Sequence, residues 1–210
     1  MMKLYGFGPT RSLRALWALQ ELDVEFEFVT VNLLAGENRR PEFLRINPTG
    51  KLPALVDGDT VLTESAAIAL YLAEKYRDKG LIPTDLKQRA QMYRWMLFTV
   101  TELEQPLWRI TRHTMLYPEN KRLPQDIALA RQDFIEMAAI LDQHMVGQQF
   151  VIGDKLTIAD CVVAYIIDWA NEQHLLDDFR QLRRYLESMY ARPKAAPRIA
   201  AAFASIRATA

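Results

Sequence analysis

Three short runs in this 210-residue chain combine residue types able to hold or activate a small ligand: Gly8-Pro9-Thr10-Arg11-Ser12, Lys51-Leu52-Pro53 and Thr63-Glu64-Ser65. In the first, Thr10 and Ser12 stand where a strand pattern gives way to a helical one. A hydroxyl there either caps the helix or donates to an anion held at the helix start. In the second, Pro53 immediately precedes a strand pattern. Proline lacks the N–H, so it marks either an ordinary edge strand or a sharp turn made through a cis peptide bond. A cis bond would turn the Leu52 N–H and C=O outward toward an extended peptide. In the third, Glu64 and Ser65 open a helix. They read either as a plain N-cap, worth about 1 kcal/mol, or as a site where helix N–H groups and Ser65 hold a carboxylate while Glu64 pairs with an ammonium. One anionic and one cationic group side by side suit an α-amino-acid head.

Other reactive residue types form no comparable pattern. Leu156-Thr157-Ile158-Ala159-Asp160 has the shape of a capping box ahead of an apolar helix and reads as structural. Cys161 follows among Val162, Val163 and Ala164, the setting of a buried, inert thiol. His113, His144 and His174 are scattered, without metal-ligand or triad spacing. A single cysteine excludes an internal disulfide and a CxxC redox pair. Trp95, Trp108 and Trp169 read as core or pocket wall rather than as a nucleic-acid platform.

The elements that must position these runs follow from periodicity. Residues 3–7 read as a strand, 12–22 as a helix and 26–31 as a strand, a βαβ unit that implies parallel pairing. Residues 33–47 read as a long loop with one helical turn at 41–44. Residues 54–56 and 60–62 read as a hairpin turning at Asp57-Gly58, and 65–76 as a helix. Gly80 to Asp85 is a turn-rich break. Beyond it the pattern is helical only: 86–116 with a bend at Pro106, 125–145, 157–171, 178–191, and a short helix or cover strip from Pro197.

Composition narrows the class. Lysine plus arginine number 26 and aspartate plus glutamate 26, so the net charge is zero and a nucleic-acid partner is not expected. No uncharged apolar run approaches the roughly 18 residues of a membrane span. With no signal-peptide pattern at MMKLYGFG, a cytoplasmic protein is expected.

In order, these pieces resemble the cytosolic glutathione S-transferases, a resemblance carried most specifically by NPTGKLPALVDGDTVLTESAAIALYLAEKY and by LTIAD. It implies a thioredoxin-like α/β N-terminal domain with a mixed four-stranded sheet over residues 1–78. An all-α domain over 86–210 would contribute the electrophile pocket. It further implies a transferase conjugating the glutathione thiolate to a small, hydrophobic electrophile, with glutathione as co-substrate, no metal, and a homodimeric state. Alternatives on the same scaffold are a glutathione-dependent disulfide or peroxide reductase, an isomerase, or a non-catalytic glutathione-binding module.

Residue by residue, Leu52 before Pro53 would pair its backbone with the cysteinyl part of glutathione. Glu64 and Ser65 would hold the γ-glutamyl head, Lys51 with Arg39 or Arg40 the glycine carboxylate. Glu102 resembles an acidic residue that in some members reaches a neighbouring subunit's ligand. Thr10 matches the sulfur-activating hydroxyl of a theta-like arrangement, with Ser12 and Tyr5 as alternatives. Bacterial beta-class members carry cysteine where Arg11 stands, so mixed-disulfide chemistry there is excluded. Trp108, Arg112, His113 and Tyr117 are the expected pocket walls.

Overall fold

Alternating burial along β1 (Met2–Gly6) marks a strand covered on one face and partly open on the other. The computed structural model describes residues 1–209, with side chains described as far as residue 206. The chain divides into two compact units, one of residues 1–82 with 190–209 and one of residues 83–189.

In the first unit, β1, α1 (Ser12–Leu22) and β2 (Phe26–Thr30) form the βαβ unit, with β1 and β2 parallel. A single helical turn, α2 (Pro41–Leu44), interrupts the long loop. The hairpin strands β3 (Ala54–Asp57) and β4 (Thr60–Thr63) then add antiparallel to β1, giving the order β2-β1-β3-β4. Each hairpin strand runs one residue longer than its pattern, because Asp57 pairs with Thr60, Thr63 pairs with Ala54 and the turn falls on Gly58-Asp59. Gly58 has φ +59°, a conformation open to glycine. Helix α3 (Ser65–Lys75) packs beside α1.

The strand expected over 3–7 ends one residue early. Phe7 leaves the ladder and donates its N–H to Ser12 Oγ at 3.3 Å. Gly6 permits this approach: a Cβ there would stand 2.9 Å from the Ser12 Cβ and 2.8 Å from the Phe28 ring.

Residues 190–209, expected with the helical domain, pack with the α/β unit instead. Tyr190 stacks obliquely on Trp17 at 4.8 Å, and Arg192 pairs bidentately with Glu21 at 2.8 and 2.9 Å. Glu21 also accepts from the Trp17 indole. Ile206, on α9 (Ile199–Thr209), lies against Gly8 so closely that a Cβ there would meet it at 2.3 Å. A half-buried bidentate ion pair and ring packing on α1 outweigh the chain continuity that sequence order suggests.

The second unit is helical. Residues 86–116 form one helical run, α4 (Leu86–Phe98) and α5 (Glu104–Thr111), each followed by a wide π-type turn, at Thr99–Leu103 and Arg112–Leu116. The first of these turns contains Glu102, whose carbonyl Pro106, four residues on, cannot meet with an N–H and crowds with its ring. Helix α6 (Pro124–His144) starts on its proline, where a missing N–H costs nothing. Helix α7 (Ile158–Glu172) is buried along most of its length, and α8 (Arg180–Tyr190) packs an apolar stripe of Leu182, Leu186 and Met189. No helix among the described residues is long and apolar enough to cross a membrane.

Candidate functional site

Sheet register brings the three ligand-type runs to one end of the first unit. Tyr5 pairs with Ala54 and Ala54 with Thr63, so these residues form one row across β1, β3 and β4. Because β3 runs antiparallel to both neighbours, β1 and β4 exit where β3 begins. The Phe7–Ser12 loop, the Leu52–Pro53 bond and the Glu64–Ser65 helix start therefore share one edge. The Leu52–Pro53 bond is cis, as one of the two readings of Pro53 has it. Leu52 is half-buried and precedes the ladder, whose pairing begins at Ala54.

The hydroxyls form a closed hydrogen-bonded ring. The Phe7 N–H donates to Ser12 Oγ at 3.3 Å, Ser12 and Thr10 hydroxyls lie 2.8 Å apart, and Thr10 Oγ1 donates to the Phe7 carbonyl at 2.7 Å. The Ser12 N–H also points to Thr10 Oγ1 at 3.3 Å. Ser12 is buried and Thr10 half-buried. Ser12 faces Phe7 and Thr10, because Gly6 leaves room for the contact. Tyr5 turns the other way, its ring 6.2 Å from that of Phe43 and packed on Val31, Phe43 and Ala54.

The α3 start is not a side-chain cap. Glu64 occupies the N-cap position without a capping bond, and Ser65 is the first helical residue. Glu64 has φ 63° and ψ 108°, a backbone region costing a non-glycine residue on the order of 1–3 kcal/mol. Such strain persists only where the surroundings impose it, and here it leaves the exposed Glu64 beside the buried Ser65. Ser65 Oγ accepts from Arg14 Nη1 at 3.2 Å, across 51 residues of sequence. Arg14 is only 1% exposed. With its lone pair engaged by a guanidinium, the Ser65 hydroxyl directs its proton elsewhere. Arg14 lies between Leu13 and Ala15-Leu16, and that apolar setting was the available signal for a buried, partnered guanidinium.

Asn47, which the sequence reading passed over, shapes the turn before Leu52. Its amide donates to the Lys51 carbonyl at 2.7 Å, and its Oδ1 accepts from Thr49 N–H and hydroxyl at 3.1 and 2.8 Å. Lys51 is exposed. Arg39 donates to the Thr49 carbonyl at 3.4 Å, and Arg40 pairs with Glu37 at 3.4 Å, so Arg39 is the one at this turn.

The remaining candidates belong to the helical unit. Glu102 is exposed and accepts from Thr101. Trp108 meets Trp169 edge-on at 6.2 Å, and the Arg112 guanidinium lies 4.9 Å from the Tyr117 ring centroid. His113 Nδ1 accepts from the Leu123 N–H at 3.1 Å, and its Nε2 lies 3.1 Å from Asp126. The ring thereby bridges the Leu123 backbone and the Asp126 carboxylate. The Arg109 guanidinium beside Asp126 holds that carboxyl below the usual range, with His113 a smaller cause. Its contribution to stability is therefore present above the ordinary carboxylate range and lost as pH falls through the lowered value. Among the described residues, no group of three or more His, Cys, Asp or Glu side chains could hold a metal ion.

Cys161 is fully buried on α7. We expect Cys161→Ser to keep wild-type turnover per folded molecule, with a modest fall in melting temperature. Abolished turnover in a variant with unchanged circular dichroism would restore a cysteine mechanism.

Comparison with known proteins agrees with this architecture. The family models for the glutathione S-transferase N-terminal and C-terminal domains match residues 1–74 and 112–193. Glutathione S-transferase F9 of Arabidopsis thaliana is 30% identical over 202 residues, covering 92% of this chain and 94% of its own. The crystal structure of glutathione transferase F7 from Populus trichocarpa superposes with a TM-score of 0.84 at 25% identity, covering 96% of this chain and 99% of that one. A glutathione-S-transferase from Xylella fastidiosa gives 0.83 at 27% identity, with 98% of each chain covered. A mixed four-stranded sheet with a cis-proline opening its third strand, in one chain with an all-helical unit, defines the thioredoxin-like two-domain class. The chain belongs to the glutathione S-transferase family and is a glutathione transferase.

Proposed function

We propose that this protein conjugates the thiolate of glutathione to a small, hydrophobic electrophile, with Thr10 as the sulfur-activating hydroxyl of a theta-like arrangement. The observation that carries the reading is the convergence of the Thr10 loop, the Leu52–Pro53 bond and the Glu64–Ser65 helix start at one sheet edge. Glutathione offers matching groups in the same order: a thiol, a peptide backbone and an α-amino-acid head. Leu52 takes the cysteinyl backbone, Ser65 the γ-glutamyl carboxylate and Glu64 its ammonium, with Lys51 and Arg39 toward the glycine carboxylate. Trp108, Arg112, His113 and Tyr117 wall the electrophile pocket. A homodimer with Glu102 at the shared face completes the reading. It is supported by Leu86 and Leu97 on α4, which are 71% and 62% exposed.

A thiol of pKa about 8.5 is only about 3% ionised at pH 7. Lowering it by about 2 units takes roughly 2.7 kcal/mol of preference for the thiolate. Thr10 supplies part of this. Its proton rests on the Phe7 carbonyl, so the gain is a charge-assisted bond less a neutral one, on the order of 1 kcal/mol. The start of α1, with its dipole, adds a comparable amount.

Thr10→Val is expected to raise the thiol pKa of bound glutathione by about 0.5–1 unit and to cut aryl-halide turnover at pH 7 by roughly 3- to 10-fold, with glutathione affinity little changed. Thiolate absorbance against pH reads this directly. An unshifted titration removes Thr10 from the mechanism. Turnover of a peroxide or a disulfide, without turnover of aryl halides, would assign the protein to reductive chemistry.

A further inference from the structure

We infer that Ser12 is a positioning residue for the activating hydroxyl, aiming the Thr10 proton through the hydrogen-bonded ring on Phe7; this rests on the reading of Thr10 as activator. The direction of the ring is forced by chemistry. The Phe7 N–H can only donate, so Ser12 Oγ accepts at 3.3 Å; the Phe7 carbonyl can only accept, so Thr10 donates at 2.7 Å. Thr10 has one proton and has given it away, so the 2.8 Å link runs from the Ser12 hydroxyl to Thr10 Oγ1. Ser12 thus donates to the oxygen that must itself donate to sulfur.

Two consequences follow. First, Thr10 Oγ1 accepts from both the hydroxyl and the N–H of Ser12, which fills its acceptor side and leaves donation as the one bond it can redirect to a ligand. Second, successive donation in one sense polarises each hydroxyl in the ring and strengthens the last donor. A thiolate arriving at Thr10 then replaces the Phe7 carbonyl as acceptor of the Thr10 hydrogen bond, with the Ser12 bond remaining in place. Ser12 is 1% exposed and bonded to Thr10, so it acts through Thr10 and not on sulfur. Gly6 is what brings Ser12 to this position, since a Cβ there would lie 2.9 Å from the Ser12 Cβ.

The test is a double-mutant cycle of Ser12→Ala and Thr10→Val, read as the pH titration of thiolate absorbance for the glutathione complex. Melting temperature and affinity for S-methylglutathione, which has no thiol to ionise, are measured on the same four proteins. Ser12→Ala alone is expected to raise the thiol pKa by about 0.5 unit, with a roughly 3-fold turnover loss at pH 7 that disappears at high pH. In the Thr10→Val background it is expected to shift nothing further, and S-methylglutathione affinity is expected to stay within 2-fold, roughly, throughout. An equal shift in both backgrounds would overturn the inference by making Ser12 an independent donor to sulfur. No shift from Ser12→Ala, or a parallel loss of S-methylglutathione affinity, would overturn it as well. If Thr10→Val shifts nothing, the activator assignment fails first, and a shift from Ser12→Ala alone would then pass that role to Ser12.

Discussion

Replacing Asp160 by alanine is expected to lower the stability of the helical unit by about 3–5 kcal/mol, a melting-temperature fall on the order of 10 °C. The carboxylate is fully buried and accepts from the Val151 N–H at 2.8 Å, the Thr157 N–H at 2.8 Å, the Tyr185 hydroxyl at 3.0 Å and the Thr157 hydroxyl at 3.1 Å. Alanine would leave these donors without a carboxylate to bond in a site closed to water, each costing about 1–3 kcal/mol. It would also undo the capping box at the start of α7, the most buried helix of its unit. The folded fraction is expected to bind glutathione normally, because the proposed glutathione ligands lie in the other unit. Burial raises the Asp160 carboxyl above the usual carboxylate range, while its hydrogen bonds oppose the shift. Differential scanning calorimetry and refolding yield check the effect. A variant melting within about a degree of wild type, on a scale of 2–4 °C per kcal/mol, would mean the box carries no stability.

Ser65→Ala is expected to weaken glutathione binding by about 10- to 100-fold, the value of one charge-assisted hydrogen bond. A cap alone would predict a different experiment, a loss of about 1 kcal/mol of stability with affinity intact. The structure removes that reading, because Ser65 is the first helical residue and the N-cap position makes no side-chain bond. It also adds a cost the sequence did not show. Arg14 Nη1 donates to Ser65 Oγ at 3.2 Å in a buried setting, and losing that acceptor is expected to lower stability by about 1–2 kcal/mol. Titration calorimetry against glutathione, paired with thermal melts, separates the two effects. Unchanged affinity with a lowered melting temperature would leave Ser65 as Arg14's partner and nothing more.

What the sequence determined by itself was local. Side-chain period and turn chemistry act within a few residues, so the βαβ start, the hairpin at residues 54–63, the box at Thr157–Asp160 and the helical second half were all legible. The candidate ligand runs were legible for the same reason, since a hydroxyl at a helix start or a proline before a strand is a short-range signal. What only tertiary structure decided was which partner each polar group takes. The Thr63-Glu64-Ser65 run read locally as a cap until the fold placed Ser65 inside the helix and brought Arg14, from 51 residues away, to its hydroxyl. Ser12 was free to bond its own helix until Gly6 admitted Phe7 and Thr10 to its other side. The tail from residue 190 looked like the end of the helical domain until Trp17 and Glu21 on α1 supplied a ring and a carboxylate for it. In each case the local pattern specified a donor or acceptor, and the desolvation of a buried group selected its mate, which sequence distance does not encode.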